Sequence, residues 1–195
     1  MRLVLASGSP RRRELLEEAG FVFEVVVSPA EELHDAAVPL AELCERNAAA
    51  KALAVAARHP DAVVVGADTL VWIDGEPLGK PHDLAEAREM LGKLAGRAHT
   101  VCTGVCVAGG GRVECFHELT GVVFRELDAG MIDRYFERVN PLDKAGAYAV
   151  QEHGEMIVAE VRGDFSNVVG LPLGRVVEVL KTFPLRQTGV KPGRG

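Results

Sequence analysis

The sequence predicts an α/β protein built on a long mixed β-sheet flanked by helices. Three observations point there. Ala62 to Val65 is short and wholly apolar, the pattern of a strand buried on both faces. Leu40 to Arg58 is long and alanine-rich, which favours a helix. Turn signals at Asp74-Gly75 and Gly109-Gly110-Gly111 join short β-type runs directly, with no helix between them. Those direct joins exclude the strict βαβ alternation of a doubly wound sheet.

The elements follow in order. Leu3 to Ala6 predicts a strand, and Ser7-Gly8 a small-residue turn into a helix over Arg11 to Ala19. Ser9 stands where an N-cap belongs, Pro10 where the first helical residue belongs, and Gly20 closes the helix. Phe21 to Val27 is rich in β-branched residues and is stopped by Ser28-Pro29. Glu31, Glu32, His34 and Asp35 fall in a polar loop before the long helix. After Val65, Gly66-Ala67-Asp68-Thr69 reads as the end of the buried strand, and Leu70 to Ile73 pairs with Pro77-Leu78 as a hairpin. Leu84 to Leu94 is a helix with Asp83 as its cap and Gly96 beyond its end. Strands are expected over His99 to Val107, Val113 to Thr120 and Val122 to Phe124. Ala129 to Arg138 is helical, Tyr148 to Val150 and Met156 to Val161 are strands, and Pro172 to Thr182 is the last helix. Residues 1–183 therefore read as one domain, with room for two lobes and a cleft, and 184–195 as a disordered tail of loose, basic composition.

Bulk properties bound the function. A net charge of −6 argues against a surface that coats extended nucleic acid, so any polyanion site must be local. No apolar run approaches a membrane span and no signal-peptide pattern opens the chain, which predicts no membrane partner. Cys44, Cys102, Cys106 and Cys115 form no C-x-x-C pair and have no partnering histidines. Free thiols in a cytoplasmic protein are the expectation, not a zinc site or a disulfide framework.

The chemistry-bearing residues begin at the N-terminus. Arg11, Arg12 and Arg13 crowd the first turn of a helix, where the macrodipole disfavours bases. An anion in front of the helix start would reverse that penalty, with Ser7 and Ser9 hydroxyls and guanidinium forks completing a phosphate cradle. A basic, solvated helix start is the alternative. Asp68, after a buried central strand, lies where α/β sheets place their ligands, and no helix begins at Thr69 to need it as a cap. Lys51 falls within about 40° of Leu40, Cys44 and Val55 on the long helix, so it either snorkels from an apolar face or points at a partner. Lys80 and Lys144 sit in tight loops, Leu78-Gly79-Lys80-Pro81 and Pro141-Leu142-Asp143-Lys144-Ala145-Gly146-Ala147-Tyr148. Either alone is more often a solvated loop charge. Three lysines and an arginine, set against Asp68 and Glu32, match what phosphoryl chemistry needs: neutralised phosphate oxygens, a divalent ion and a positioned water. There is no Walker A pattern and no G-x-G-x-x-G, which disfavours P-loop enzymes and Rossmann dehydrogenases. In Gly163 to Leu173, only Asn167 has an obvious capacity to read a polar ligand.

Seven segments in order carry a family likeness: Ser7 to Leu16, Gly66 to Thr69, Gly79 to Pro81, His99 to Gly104, Asp143 to Tyr148, Gln151, and Asn167 to Leu173. Together they resemble the Maf family of nucleoside triphosphate pyrophosphatases over nearly the whole chain. The resemblance implies a mixed-sheet fold similar to that of inosine triphosphate pyrophosphatases, often a homodimer, and cleavage of a nucleoside triphosphate between its α- and β-phosphates. It implies that Asp68 is the general base or a metal-linked carboxylate. Glu32 would help hold Mg²⁺ or Mn²⁺, with Glu31 an alternative, and Ser7, Ser9, Arg12, Lys51, Lys80 and Lys144 would contact phosphate. One branch of the family prefers dTTP, UTP and modified pyrimidine nucleotides. A sister branch, preferring 7-methyl-GTP, carries tryptophan, glutamine and glutamate where this chain has Arg11, Thr69 and Gln151. All three match the pyrimidine branch, and the Gln151 carboxamide can both donate to and accept from a uracil or thymine edge. Two rival readings stay open: a nucleotide-sensing regulator of septum formation with little turnover, and the same enzyme acting on 7-methyl-GTP or noncanonical purine nucleotides.

Overall fold

The computed structural model describes residues 1–35 and 37–186. Its centre is a seven-stranded mixed sheet in the order β2-β1-β3-β5-β6-β7, with β4 also pairing with β3. The strands are β1 (Arg2–Leu5), β2 (Phe23–Val25), β3 (Ala62–Ile73), β4 (Glu76–Leu78), β5 (Ala98–Gly109), β6 (Arg112–Phe124) and β7 (Val158–Arg162). The helices are α1 (Pro10–Glu18), α2 (Leu40–Ala56), α3 (Leu84–Leu94), α4 (Ala129–Phe136), α5 (Phe165–Val169) and α6 (Leu173–Lys181). β1 runs parallel to both β2 and β3, and every other pairing is antiparallel. The α/β class with a long mixed sheet is what the sequence predicts. Among the described residues no helix is long and apolar enough to cross a membrane.

Among the described residues four apolar clusters hold the sheet, the smallest of them joining Leu43 and Cys44 of α2 to Leu70 and Cys102. On one face α2 packs through Ala48, Ala52 and Val55 onto Val4, Val64 and Cys106. A second cluster joins Leu16 of α1 and Val176 and Leu180 of α6 to Leu5, Val65 and Val107. The third, around Leu91, Leu94, Tyr135, Val101, Val122 and Ile157, joins α3 and α4 to the far end of the long strands.

The approach of α2 is set by two glycines. A Cβ at Gly66 would fall 2.5 Å from the Ala48 carbonyl oxygen, and one at Gly104 would fall 2.3 Å from the Cys44 carbonyl group. No other residue fits there without moving the helix. This corrects the reading of Gly66 to Thr69 as a strand end. β3 continues for twelve residues, and Asp68 sits mid-strand opposite Gly104. Gly66 serves a close contact, not a turn.

Other elements differ for similar reasons. β6 is continuous through Gly121, which pairs with Thr100 and Arg162 instead of breaking the strand. Tyr148 to Val150 is not a strand. Gly146 and Ala147 take left-handed conformations, φ 67° and 64°, and turn the chain so that Tyr148 enters the core beside His99 and Phe124. The β2 strand is shorter than expected, and α5 is an unexpected single turn capped by Asp164, whose carboxylate accepts from the Ser166 N–H at 2.8 Å. Two predicted caps hold: Asp83 accepts from Ala85 and Glu86, and Gly20 follows α1 with φ 80°. Of the expected tail, Arg186 donates its N–H to the Met1 carbonyl at 2.8 Å, and residues 187–195 lie outside the described residues.

Candidate active site

The site occupies a gap in the sheet. β1 pairs with β3 only as far as Leu5 opposite Val65, and β4 begins pairing only at Val71. Between those points β3 has β5 on one side and, among the described residues, no strand on the other. A cleft of about 1070 Å³ opens there. Successive strand residues point to opposite faces, so Asp68 and Thr69 project to either side of the sheet at the same gap. All eleven site residues named from the sequence line this cleft: Ser7, Ser9, Arg11, Arg12, Glu32, Lys51, Asp68, Thr69, Lys80, Lys144 and Gln151. Of the two glutamates left open, Glu32 is the one at the cleft.

On the α2 side the Asp68 carboxylate is buried and doubly held. Lys51 Nζ donates to Asp68 Oδ1 at 2.7 Å, and Asn47 Nδ2 donates to Oδ2 at 3.0 Å. Lys51 and Asn47 lie one turn apart on α2, and the Gly66 and Gly104 contacts bring that turn against β3 and β5. The same ammonium reaches Glu32 Oε1 at 2.7 Å. Asn47 also accepts from the Leu33 N–H at 2.7 Å and donates to the Leu33 carbonyl, which fixes the loop that carries Glu32. Lys51 therefore points at partners instead of snorkelling. Asn47 was not singled out from the sequence, although its i, i+4 spacing from Lys51 is a signal that could have found it.

On the other face Arg12 organises the site. Its Nε donates to the Gly170 carbonyl at 2.8 Å, Nη1 to Ser7 Oγ at 3.2 Å and Nη2 to Thr69 Oγ1 at 3.0 Å. Three of five N–H donors are used, leaving two for an anion. Burial pulls this guanidinium below the usual arginine range, and the charge of Asp68 acts the other way. Ser9 occupies the N-cap of α1, but its hydroxyl makes no capping bond. The first amides of α1 thus remain directed at the cleft. Thr69 Oγ1 also lies 2.9 Å from Thr103 Oγ1, so Thr69 is first of all a support for Arg12.

At the rim Arg11 Nη1 donates to Asp143 Oδ2 at 3.0 Å. Buried Lys144 donates to the Asn140 carbonyl and to Asp143 Oδ1, both at 2.9 Å, and lies 3.3 Å from Glu152 Oε2. Partial burial pushes the Asp143 carboxyl up, but hydrogen bonds from Lys144 and Arg11 outweigh it and hold it below the usual range. Lys80 and Gln151 are exposed at the cleft edge, and Arg13 only pairs with Glu17 along the outside of α1. Asn167 is a correction. It is fully buried and donates to the Val101 carbonyl and Thr120 Oγ1, tying α5 to the sheet, so it reads no ligand.

The donor set suits a hard divalent cation. Asp68 Oδ1 and Glu32 Oε1 converge on one cation, at present the Lys51 ammonium, each at 2.7 Å. Among the described residues no group of three or more His, Cys, Asp or Glu side chains converges in this way. Two carboxylates with substrate phosphates and water completing the shell is how Mg²⁺ is usually held.

Comparison with known proteins agrees with this geometry. The family model described as Maf-like protein matches residues 2–183. A dTTP/UTP pyrophosphatase of Akkermansia muciniphila is 54% identical over 184 residues, covering 94% of this chain and 97% of the relative. Similar proteins with the same name come from Symbiobacterium thermophilum (50% identical, covering 93% and 94%) and Bacillus cytotoxicus (48%, covering 93% and 95%). With a cleft of this composition and a match along nearly its full length, the chain belongs to the Maf-like protein family.

Proposed function

We propose that this chain hydrolyses dTTP and UTP between the α- and β-phosphates, releasing a nucleoside monophosphate and pyrophosphate. The observation that carries the reading is the juxtaposition of Asp68, gripped on both oxygens, with the Arg12 fork across the gap in one cleft. The pyrophosphatase relatives support the same substrate class.

The residues divide the work by position. Arg12 and the free amides of α1 cradle phosphate oxygens, while Lys51, Lys80 and Lys144 take up charge as the pyrophosphate departs. Each Asp68 oxygen keeps a lone pair after its hydrogen bond. Asp68 can therefore orient a water and accept its proton as the oxygen attacks the α-phosphorus, with the bond to the bridging oxygen breaking. Asp68 and Glu32 are the side chains that would hold Mg²⁺ or Mn²⁺, which when bound supplies further neutralisation of phosphate charge. Gln151 and Arg11, at the same rim, would read the base. A cytoplasmic homodimer belongs to the same proposal, on the strength of the family likeness.

The test is Asp68→Asn, which keeps shape and removes the base. Pyrophosphate release from dTTP should fall by roughly 10²- to 10⁴-fold. Near-wild-type release would sink the assignment. A panel of dTTP, UTP and 7-methyl-GTP with added Mn²⁺ tests the substrate, and preference for the methylated purine would overturn the pyrimidine reading.

A further inference from the structure

The β5–β6 hairpin holds a pair of cysteines that the proposed reaction does not use. Gly110 and Gly111, at φ 60° and 78°, close it with the positive pair that a type I′ turn requires. In a two-residue hairpin the residues flanking the turn, Gly109 and Arg112, exchange hydrogen bonds. Hydrogen-bonded and non-hydrogen-bonded pairs then alternate along the ladder. Counting inward through Ala108–Val113 and Val107–Glu114 makes Cys106–Cys115 a non-hydrogen-bonded pair. Such pairs hold their Cα atoms about 4.5 Å apart, inside the span of roughly 4.4–6.8 Å that a disulfide needs. Directly opposed residues also project from the same face. The two sulfurs lie 2.6 Å apart, with Cys106 buried and Cys115 exposed.

We propose that Cys106 and Cys115 form an intramolecular disulfide when the protein meets a two-electron oxidant of the peroxide class, making this hairpin a redox modification site. Neither strand has to move, because the turn has already set the register. The hydrogen bond between the sulfurs holds the Cys115 thiol below the usual range. That bond, with burial, pushes Cys106 up. Cys115, the exposed one of the pair, is the sulfur an oxidant meets first. Its thiolate attacks one peroxide oxygen and releases hydroxide, giving a sulfenic acid. The Cys106 sulfur then displaces the sulfenic oxygen, which leaves as water with the Cys106 proton. Two thiols and one peroxide become one disulfide and two waters. Cys44 and Cys102 are buried and out of the oxidant's reach.

The experiment treats the full chain with hydrogen peroxide, then denatures, alkylates and digests it with trypsin. Cleavage after Arg112 separates the two cysteines into residues 98–112 and 113–125. The expected product is these two peptides joined, released by dithiothreitol, with fragmentation assigning the link to Cys106 and with Cys44 and Cys102 alkylated. Cys102→Ser should keep the link. Cys106→Ser should lose it and let Cys115 run on to sulfinic acid. Over-oxidised Cys115 beside alkylated Cys106 in the wild-type chain, a link through Cys102 or between two chains, or an unreacted Cys115 under excess peroxide would each overturn the proposal.

Discussion

Gly104→Ala should disable the active site from beneath, without touching any residue that meets substrate. The added Cβ would stand 2.3 Å from the Cys44 carbonyl carbon and oxygen and 2.6 Å from the Glu45 nitrogen. Ordinary contact begins at 3.4 Å, so about 1 Å must be found by moving α2 away from β5. Overpacking of this kind costs about 1–3 kcal/mol. A functional effect of comparable size is added, because the next turns of α2 carry Asn47 and Lys51. A retreat of an ångström breaks their 3.0 Å and 2.7 Å hydrogen bonds to Asp68. Misplacement on that scale lowers turnover by roughly 10²-fold. Urea denaturation and pyrophosphate release from dTTP measure the two effects on one preparation. Gly121→Ala is the control, since its Cβ would meet Arg162 at an ordinary 3.6 Å. If Gly104→Ala matched the wild type in both measurements, the account of α2 as the element that positions the site would be wrong.

Two more substitutions probe the site and the core. Asn47→Leu keeps the branched shape of the side chain but removes its two hydrogen bonds with Leu33 and one to the charged Asp68 carboxylate, the last worth about 1.5–3 kcal/mol. The turnover number should drop roughly 10- to 100-fold while KM changes less, and an unchanged turnover number with a raised KM would assign Asn47 to binding instead. His99 is buried with its Nε2 2.7 Å from the Tyr148 hydroxyl, and burial lowers its pKa from 6.5 to about 4. The unfolded chain therefore takes up a proton first as pH falls. The contribution is complete above pH 6.5 and is lost progressively toward pH 4, on the order of 3 kcal/mol in all. His99→Phe should flatten stability against pH across that window, and equal slopes in the two proteins would refute the role.

The site was legible where chemistry is written in short local strings. Ser7 to Arg12, the Asp68-Thr69 pair and the lysine loops each carry their meaning within a few residues, and the fold brings all of them to one cleft. What was hidden depends on approach in space. Gly66 beside Asp68 has the composition of a turn, and only the backbone of α2 at its Cα shows why glycine stands in a continuous strand. Asn47 was missed because an asparagine on an alanine-rich helix has no local partner, and its role exists only once β3 lies beneath it. The left-handed Ala147 that sends Tyr148 into the core, ending the expected strand, carries no signal in its residue type.

Arg11, Lys144 and Lys51 arrive already partnered, and this shapes how a polyphosphate would be received. Asp143 occupies both Arg11 and Lys144, Glu152 stands beside Lys144, and Glu32 shares Lys51 with Asp68. The cleft thus holds tethered counter-ions in place of a condensed layer of salt. At Arg11 and Lys144 an incoming nucleotide exchanges Asp143 and Glu152 for its own oxygens while Lys51 stays on Asp68, and fewer bulk ions need be released there. Affinity should then vary less steeply with ionic strength than a count of arginines and lysines would suggest. The displaced carboxylates remain at hand to eject the pyrophosphate by competing again for the same ammonium groups.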